Sequence, residues 1–167
     1  MNYRKNLIAW LFEKSQKIYG DLFVTRKPWG IKKSELLNYP EDSFGKHLGL
    51  FLNDNNFELI PKGERHDAYH TLTDYKTKVE DEIALQYLCI GNGKRSLYAI
   101  GAAIVGSLIL PEYYEYYLKS FSIGRNANAF YHFDYKKLLL MPIKDLRAVI
   151  FSKSQIETIK ITSYEQI

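Results

Sequence analysis

The sequence predicts an all-α protein, a single-domain helical bundle of about seven helices with a buried apolar central pair. Three observations predict it. The chain has 167 residues, 46% of them hydrophobic and 15% aromatic, enough to bury one core without a second domain. Apolar side chains recur at helical spacing, as at Phe44, Leu48, Phe51 and Leu52, the i, i+4, i+7, i+8 pattern of one helix face. No pair of alternating segments reads as a hairpin, and no repeat or low-complexity stretch interrupts the chain.

The elements follow in order. Residues 1–20 set Arg4, Lys5, Lys14 and Lys17 around Leu7, Ile8, Trp10, Leu11 and Phe12. This is an amphipathic N-terminal helix, suited to dock on the core or to lie on a membrane surface. Glu13 interrupts its apolar run, so it does not read as a signal peptide. Gly20 and Lys27-Pro28-Trp29-Gly30 mark a loop, and residues 34–38 form a short helix stopped by Pro40. Ser43 is the N-cap of the Phe44 helix, which ends in Asn53-Asp54-Asn55-Asn56. Pro61 and Gly63 lead into a helix over residues 64–70.

Thr77 and Glu80 form a Thr-x-x-Glu capping box that starts the next helix. From Ile83 to Ile90 its only strongly polar side chain is Gln86, so this helix is central. Gly91-Asn92-Gly93 ends it. Ser96 opens an uncharged stretch of 14 residues, Leu97 to Leu110, short of the roughly 20 that span a bilayer. It reads as a buried core helix. Pro111 kinks or restarts the chain, and a Tyr-rich run continues to Gly124. Asp134 and Pro142 start the last two helices, with Leu138, Leu139, Leu140, Leu146 and Val149 facing inward. Residues 152–167 form a tail without an assignment.

Charge and cysteine content narrow the function classes. Lys and Arg number 23 against 19 Asp and Glu, a net charge of +4 with a pI near 9.0. That excess is mild and undivided by any dense basic run, which argues against nucleic acid as a partner. It suits an anionic lipid surface better. One cysteine, Cys89, excludes an internal disulfide and a multi-cysteine metal site and points to an intracellular protein. Within an apolar helix it reads as core rather than nucleophile.

The chemistry concentrates in one cluster. His66 and His70 are four residues apart, so on a helix they lie about 40° from each other and converge on one ion. Asp67 flanks the same face. Glu82 joins them only if the helix breaks, and the capping box at Thr77 breaks it, so that a turn through Asp74-Tyr75-Lys76 folds Glu82 back. Two imidazoles and one or two carboxylates suit zinc, iron(II), manganese or cobalt, and they leave coordination positions open. The competing reading is a hydrogen-bonded surface cluster, with Glu80, Asp81 and Glu82 serving the helix dipole. Asp74 is either a further ligand, a supporting group or a solvated loop residue. His47 and His132 have no ligand partners at useful spacing and read as structural.

These residues carry a resemblance. His66-Asp67-x-x-His70, eleven residues, then Glu82 is similar to the signature of the coenzyme Q (ubiquinone) biosynthesis protein 4 family. Tyr39-Pro40-Glu41-Asp42-Ser43-Phe44-Gly45 and Leu50-Phe51-Leu52 upstream resemble the same family. So do Glu82-Ile83-Ala84-Leu85-Gln86-Tyr87 and the Leu139 to Arg147 stretch, and together they cover residues 35–150. The chain resembles a short bacterial homologue, its richness in Lys, Ile, Asn and Tyr fitting an AT-rich genome.

The resemblance implies an all-helical protein that binds a divalent metal, usually zinc, and acts in ubiquinone synthesis at membranes. It places the metal on His66, Asp67, His70 and Glu82. It offers two roles: holding a prenylated ring intermediate within a biosynthetic complex, and oxidative decarboxylation of the ring at C1. In the second role the metal is a Lewis acid and Asp67 or Glu82 is the acid or base. The small residues Gly101, Ala102, Ala103, Gly106 and Ser107 either line a groove for an isoprenoid tail or simply pack closely. The implied partners are a prenylated lipid or quinone precursor, a membrane surface, other biosynthetic proteins and a second copy of the chain. The expected location is cytoplasmic and peripheral to the membrane. Two alternatives stand beside this: a non-catalytic lipid-binding scaffold with a structural metal, and a metal-dependent phosphohydrolase. The latter rests on the His66-Asp67 doublet and would draw on His47 and Asp134.

Overall fold

A computed structural model describes residues 3–11, 14 and 27–164, with side chains to residue 160. Gly20 and most of the N-terminal stretch after residue 11 lie outside the described residues. Helical residues are 3–11 (α1), Lys33–Leu36 (α2), Phe44–Asp54 (α3), Glu64–Thr73 (α4), Val79–Gly91 (α5), Leu97–Ile109 (α6), Tyr114–Asn126 (α7), Ile143–Ile150 (α8) and Lys153–Tyr164 (α9). The described residues thus hold nine helices rather than about seven, and no strand beyond one isolated bridge between Ser43 and Pro142. Helix α9 occupies the tail left without an assignment. Its sequence has no strong apolar face; Ile159, 5% exposed, and Ile156 reach the core, and Gln155 Nε2 donates to Ile123 O of α7 at 3.2 Å.

Helix α3 forms as its sequence requires. Ser43 Oγ accepts from Lys46 N at 3.1 Å, satisfying one orphan N–H of the first turn. Phe44, Leu48 and Leu52 are fully buried. Helix α5 is the axis of the bundle. Ile83, Ala84, Leu85, Leu88 and Cys89 are fully buried on several sides of it. It crosses α7 at closest approach through two glycines: a Cβ on Gly124 would run into the Leu88 carbonyl oxygen, and one on Gly91 into the Phe121 carbonyl oxygen. Asn92 locks the end of α5 in place. Its Oδ1 accepts from Phe130 N at 2.7 Å and Tyr131 N at 3.0 Å, and its Nδ2 donates to Gly124 O at 3.0 Å.

Helix α6 departs from the expectation of a buried core helix. Only Ala99, Ala103 and Gly106 are buried, whereas Leu97 is 81% and Leu108 77% exposed, with Ile104 and Val105 also open. The reason is that α6 has one partner face. Gly106 sits so close to Ile83 of α5 that a Cβ would meet Ile83 Cδ1 at 2.6 Å, and among the described residues no element covers the opposite side. The expected buried pair is therefore one buried helix, α5, and one half-open helix. After Pro111 the chain bends by 108° into α7. No single helix among the described residues is long and apolar enough to cross a membrane.

Three smaller expectations are corrected. Asp134 opens only a single 3-10 turn, Tyr135–Leu138, not a full helix. Leu140, in the turn before α8, and Val149 are 70% and 54% exposed, and α8 buries Ile143, Leu146 and Ile150 instead. Helix α5 starts at Val79 with Lys78 as a cap that offers no side-chain hydrogen bond. The Thr77 capping box is absent: Thr77 Oγ1 donates to Asn55 Oδ1 at 3.1 Å and ties the turn to the end of α3 instead.

Candidate metal centre

The break between α4 and α5 brings the cluster together, and Asp74 makes the break. Asp74 adopts a left-handed backbone, φ 58°, with its N–H bonded to His70 O at the end of α4, a conformation that Asp tolerates better than most side chains. Arg147 of α8 secures this end. Its Nε and Nη2 donate to Leu72 O at 2.9 Å and Thr71 O at 2.8 Å, and it pairs with Asp74 Oδ1 at 2.8 Å. Asp74 is thus an ion-pair partner, not a member of the histidine cluster. The chain then returns, and Glu82 in the first turn of α5 faces α4.

His66, His70 and Glu82 form the group of ligand-type side chains whose donor atoms all lie within 4.8 Å of one another among the described residues. His66 Nε2 is 3.2 Å from Glu82 Oε2, and His70 Nε2 is 3.1 Å from Glu82 Oε1. The two imidazoles meet edge to face, centroids 4.7 Å apart. Phe51 of α3 stacks on the outer face of His70 at 5.3 Å. The side chain of His70 is 1% exposed, those of His66 and Glu82 18% and 21%. The cluster is closed behind His70 and reachable past His66 and Glu82.

The tautomer of His70 decides what this arrangement can hold. Its Nδ1 lies 3.0 Å from Tyr75 O. A carbonyl oxygen only accepts, so Nδ1 carries the proton and neutral His70 presents an Nε2 lone pair. That lone pair is buried, has no hydrogen-bond partner and faces a carboxylate oxygen. Two acceptors at such a distance need a positive species between them, a proton or a cation. Nitrogen and carboxylate donors with a buried, unpartnered Nε2 fit a borderline divalent cation, and the carbonyl behind Nδ1 is the support a ligating histidine ordinarily has.

In the metal-free cluster a proton can take that place between His70 and Glu82. Burial disfavours charge on Glu82, yet His70 and His66 together hold its carboxyl well below the usual range. Burial opposes protonation of His70 too, but Glu82 and the Tyr75 carbonyl outweigh it and raise its pKa. For His66 burial wins and its pKa is lowered. Asp67 is pushed up to about 7, mainly by burial. It is half-buried and close enough for its charge to act on His70, but it stands outside the tight group of three.

The other residues singled out in the sequence stay apart from this group. His47 is half-buried with a pKa lowered by burial, and His132 is exposed between the rings of Tyr131 and Phe133. Asp134 pairs with Lys137 at 3.3 Å. Cys89 is fully buried, its thiol pushed up to about 11 by burial. Asp81 is capped by Tyr116, whose hydroxyl donates to Oδ1 at 2.7 Å, and Glu80 pairs with Lys5 of α1 at 2.9 Å. Sequence reasoning passed over one neighbour. Gln86, one turn beyond Glu82, brings its Nε2 to 3.3 Å from His66 Nε2, and its i+4 spacing from Glu82 was the available signal.

The family profile of the coenzyme Q (ubiquinone) biosynthesis protein Coq4 matches residues 59–154, the span that contains α4 to α8 and all of His66, Asp67, His70, Glu82 and Gln86. No curated protein matches the chain significantly. Among solved structures it is similar to a crystal structure from Nostoc punctiforme PCC 73102, a protein provisionally named for ubiquinone biosynthesis. The TM-score is 0.58 at 14% identity, over 87% of this chain and 79% of that one. At that identity the likeness shows a shared helical fold.

Proposed function

We propose a function from the premise that this chain belongs to the coenzyme Q (ubiquinone) biosynthesis protein Coq4 family. A role in coenzyme Q biosynthesis follows from that membership. Within it, we assign the chain a divalent-cation centre on His66, His70 and Glu82, with Asp67 closing on it, that receives the ring of a prenylated intermediate. One observation carries the assignment: the buried His70 Nε2 lone pair, fixed by the Tyr75 carbonyl, faces Glu82 with no hydrogen-bond partner. Zinc is the first choice, with iron, manganese and cobalt as alternatives for the same donor set.

A cation bound there supplies Lewis acidity toward a ring carboxylate and its neighbouring oxygen, the group lost in a C1 decarboxylation. The chain's residues do the rest. Phe51 and the Tyr75 carbonyl hold His70 in one orientation. Asp67, pushed up to about 7, is able to carry a proton near neutrality and is the acid–base residue of this reading. The half-open face of α6 is the complementary feature for the isoprenoid end or a lipid surface: Leu97, Ile104, Val105 and Leu108 are exposed, and around Gly101 nothing lies within 4 Å of where a Cβ would stand. Gly106, by contrast, serves close packing against Ile83.

The test is elemental analysis of protein purified without chelators, combined with mass spectrometry of its solvent extract. About one divalent metal per chain is expected, lost in His66→Ala, together with co-purifying prenyl lipid. Protein without stoichiometric metal, or with metal that His66→Ala leaves in place, contradicts the assignment.

A further inference from the structure

We infer that Gln86 binds ligand at this centre: its side-chain amide donates a hydrogen bond to an oxygen ligand carried by the cation, such as the carboxylate of an aromatic acid. The inference rests on the cation reading above and deepens it. Gln86 follows Glu82 by one turn of α5, so both side chains face α4. The residue is 1% exposed. Its Nε2 lies 3.3 Å from His66 Nε2, and its Oε1 is buried without a partner. A carboxamide so enclosed in an apolar helix demands an acceptor for its N–H groups.

His66 Nε2 has two claimants. Glu82 Oε2 stands 3.2 Å from it and can only accept, whereas the Gln86 amide N–H can only donate. One imidazole nitrogen cannot satisfy both. A cation at the centre takes the His66 lone pair and the Glu82 charge together, which ends that conflict and deprives the Gln86 amide of its acceptor. A buried donor left unmatched is costly. The new acceptor has one source, the oxygen ligands that fill the positions two histidines and a carboxylate leave open. A fixed, neutral donor there strengthens as negative charge on that oxygen grows, and it neither repels the cation nor competes for it. Exchanging the amide O and N, which are hard to tell apart, gives the rival arrangement with Oε1 on the cation itself.

The experiment uses the full chain, stripped of metal, loaded with Co2+ and titrated with benzoate while the visible d–d bands are followed. Gln86→Leu is expected to keep Co2+ affinity within about threefold and to weaken benzoate about tenfold, the loss of one charge-assisted hydrogen bond. Gln86→Glu keeps the shape, removes the donor and adds a negative charge, so benzoate weakens at least as much while Co2+ binds more tightly. If Gln86→Leu does not fold, Gln86→Met, neutral and of matching length, decides in its place. Unchanged benzoate affinity in the variants overturns the inference. So does a fall in Co2+ affinity of about a hundredfold in Gln86→Leu with altered bands, which would make Gln86 a direct ligand. Wild-type protein that binds Co2+ but not benzoate overturns the inference and leaves the cation reading standing. Wild-type protein that binds no Co2+ overturns both.

Discussion

Against α7, helix α5 packs through glycine and backbone; against α4 it packs through charge. On the first side Gly91 and Gly124 bring the two helices so close that no side chain separates them, and stacked Tyr87 and Tyr117 continue the seam, 5.4 Å between centroids. On the second side two histidines meet one carboxylate across the helix gap. The difference appears within a single turn of α5. Glu80, Asp81 and Glu82 are consecutive carboxylates, and each has a different answer: the Lys5 ammonium, the Tyr116 hydroxyl and the imidazole pair. Only the partners of Glu82 are themselves side chains of a kind that could hold a metal ion. The α7 seam is therefore close backbone packing, and the α4 seam gathers side chains that could hold a metal ion.

The largest effect should come from breaking the first seam. Gly124→Ala drives a Cβ into the Leu88 carbonyl, backbone that cannot turn aside, and should destabilise the fold by about 3 kcal/mol in urea denaturation. A loss under about 1 kcal/mol would mean the seam has slack. His70→Ala on the second side should cost less, about 1–2 kcal/mol in metal-free protein, as a buried side chain removed from a site already under-satisfied. Zn2+ at a hundred times its Kd should then stabilise the wild type by about 2.7 kcal/mol and leave His70→Ala unmoved. Equal stabilisation of the two would place the ion elsewhere.

The smallest effect is a pH slope. His70 has its folded pKa raised above 6.5, so the stability it lends is complete below that pH and is lost as pH rises through the raised value. Asp67, an acid raised from 3.8 to about 7, loses its contribution earlier, as pH rises from about 4 to about 7. His66, lowered from 6.5, costs stability only below that pH, and Glu82, lowered from 4.5, lends stability that is lost only in acid. Chelated protein should therefore lose melting temperature from pH 6.5 upward, more in the wild type than in His70→Gln. With a divalent cation present the slope should reverse, because protons no longer compete for the imidazoles. A flat profile in chelator would show that the histidines do not sense Glu82.

Much of this was legible in the residues, and the exceptions are instructive. The α3 face is readable because Ser43 caps it and its apolar spacing is regular. The helix break that returns Glu82 to the histidines was expected at Thr77, yet Asp74 makes it with a left-handed backbone held by Arg147, a contact 73 residues away that no local pattern signals. Apolar runs misled twice. The exposed Leu140 and Val149, and the open side of α6, are as hydrophobic as buried positions, and hydropathy does not tell which face finds a partner. Gln86 was visible only as an odd polar residue in an apolar helix, since its proximity to His66 depends on how α4 and α5 cross.

X-ray absorption spectroscopy at the edge of the metal found in protein purified without chelators tests the central claim most directly. It should show a first shell of nitrogen and oxygen at about 2.0–2.2 Å if the ion is zinc, with outer-shell scattering from two imidazoles. A shell without imidazole scattering, or one containing sulfur, would contradict a centre built on His66, His70 and Glu82.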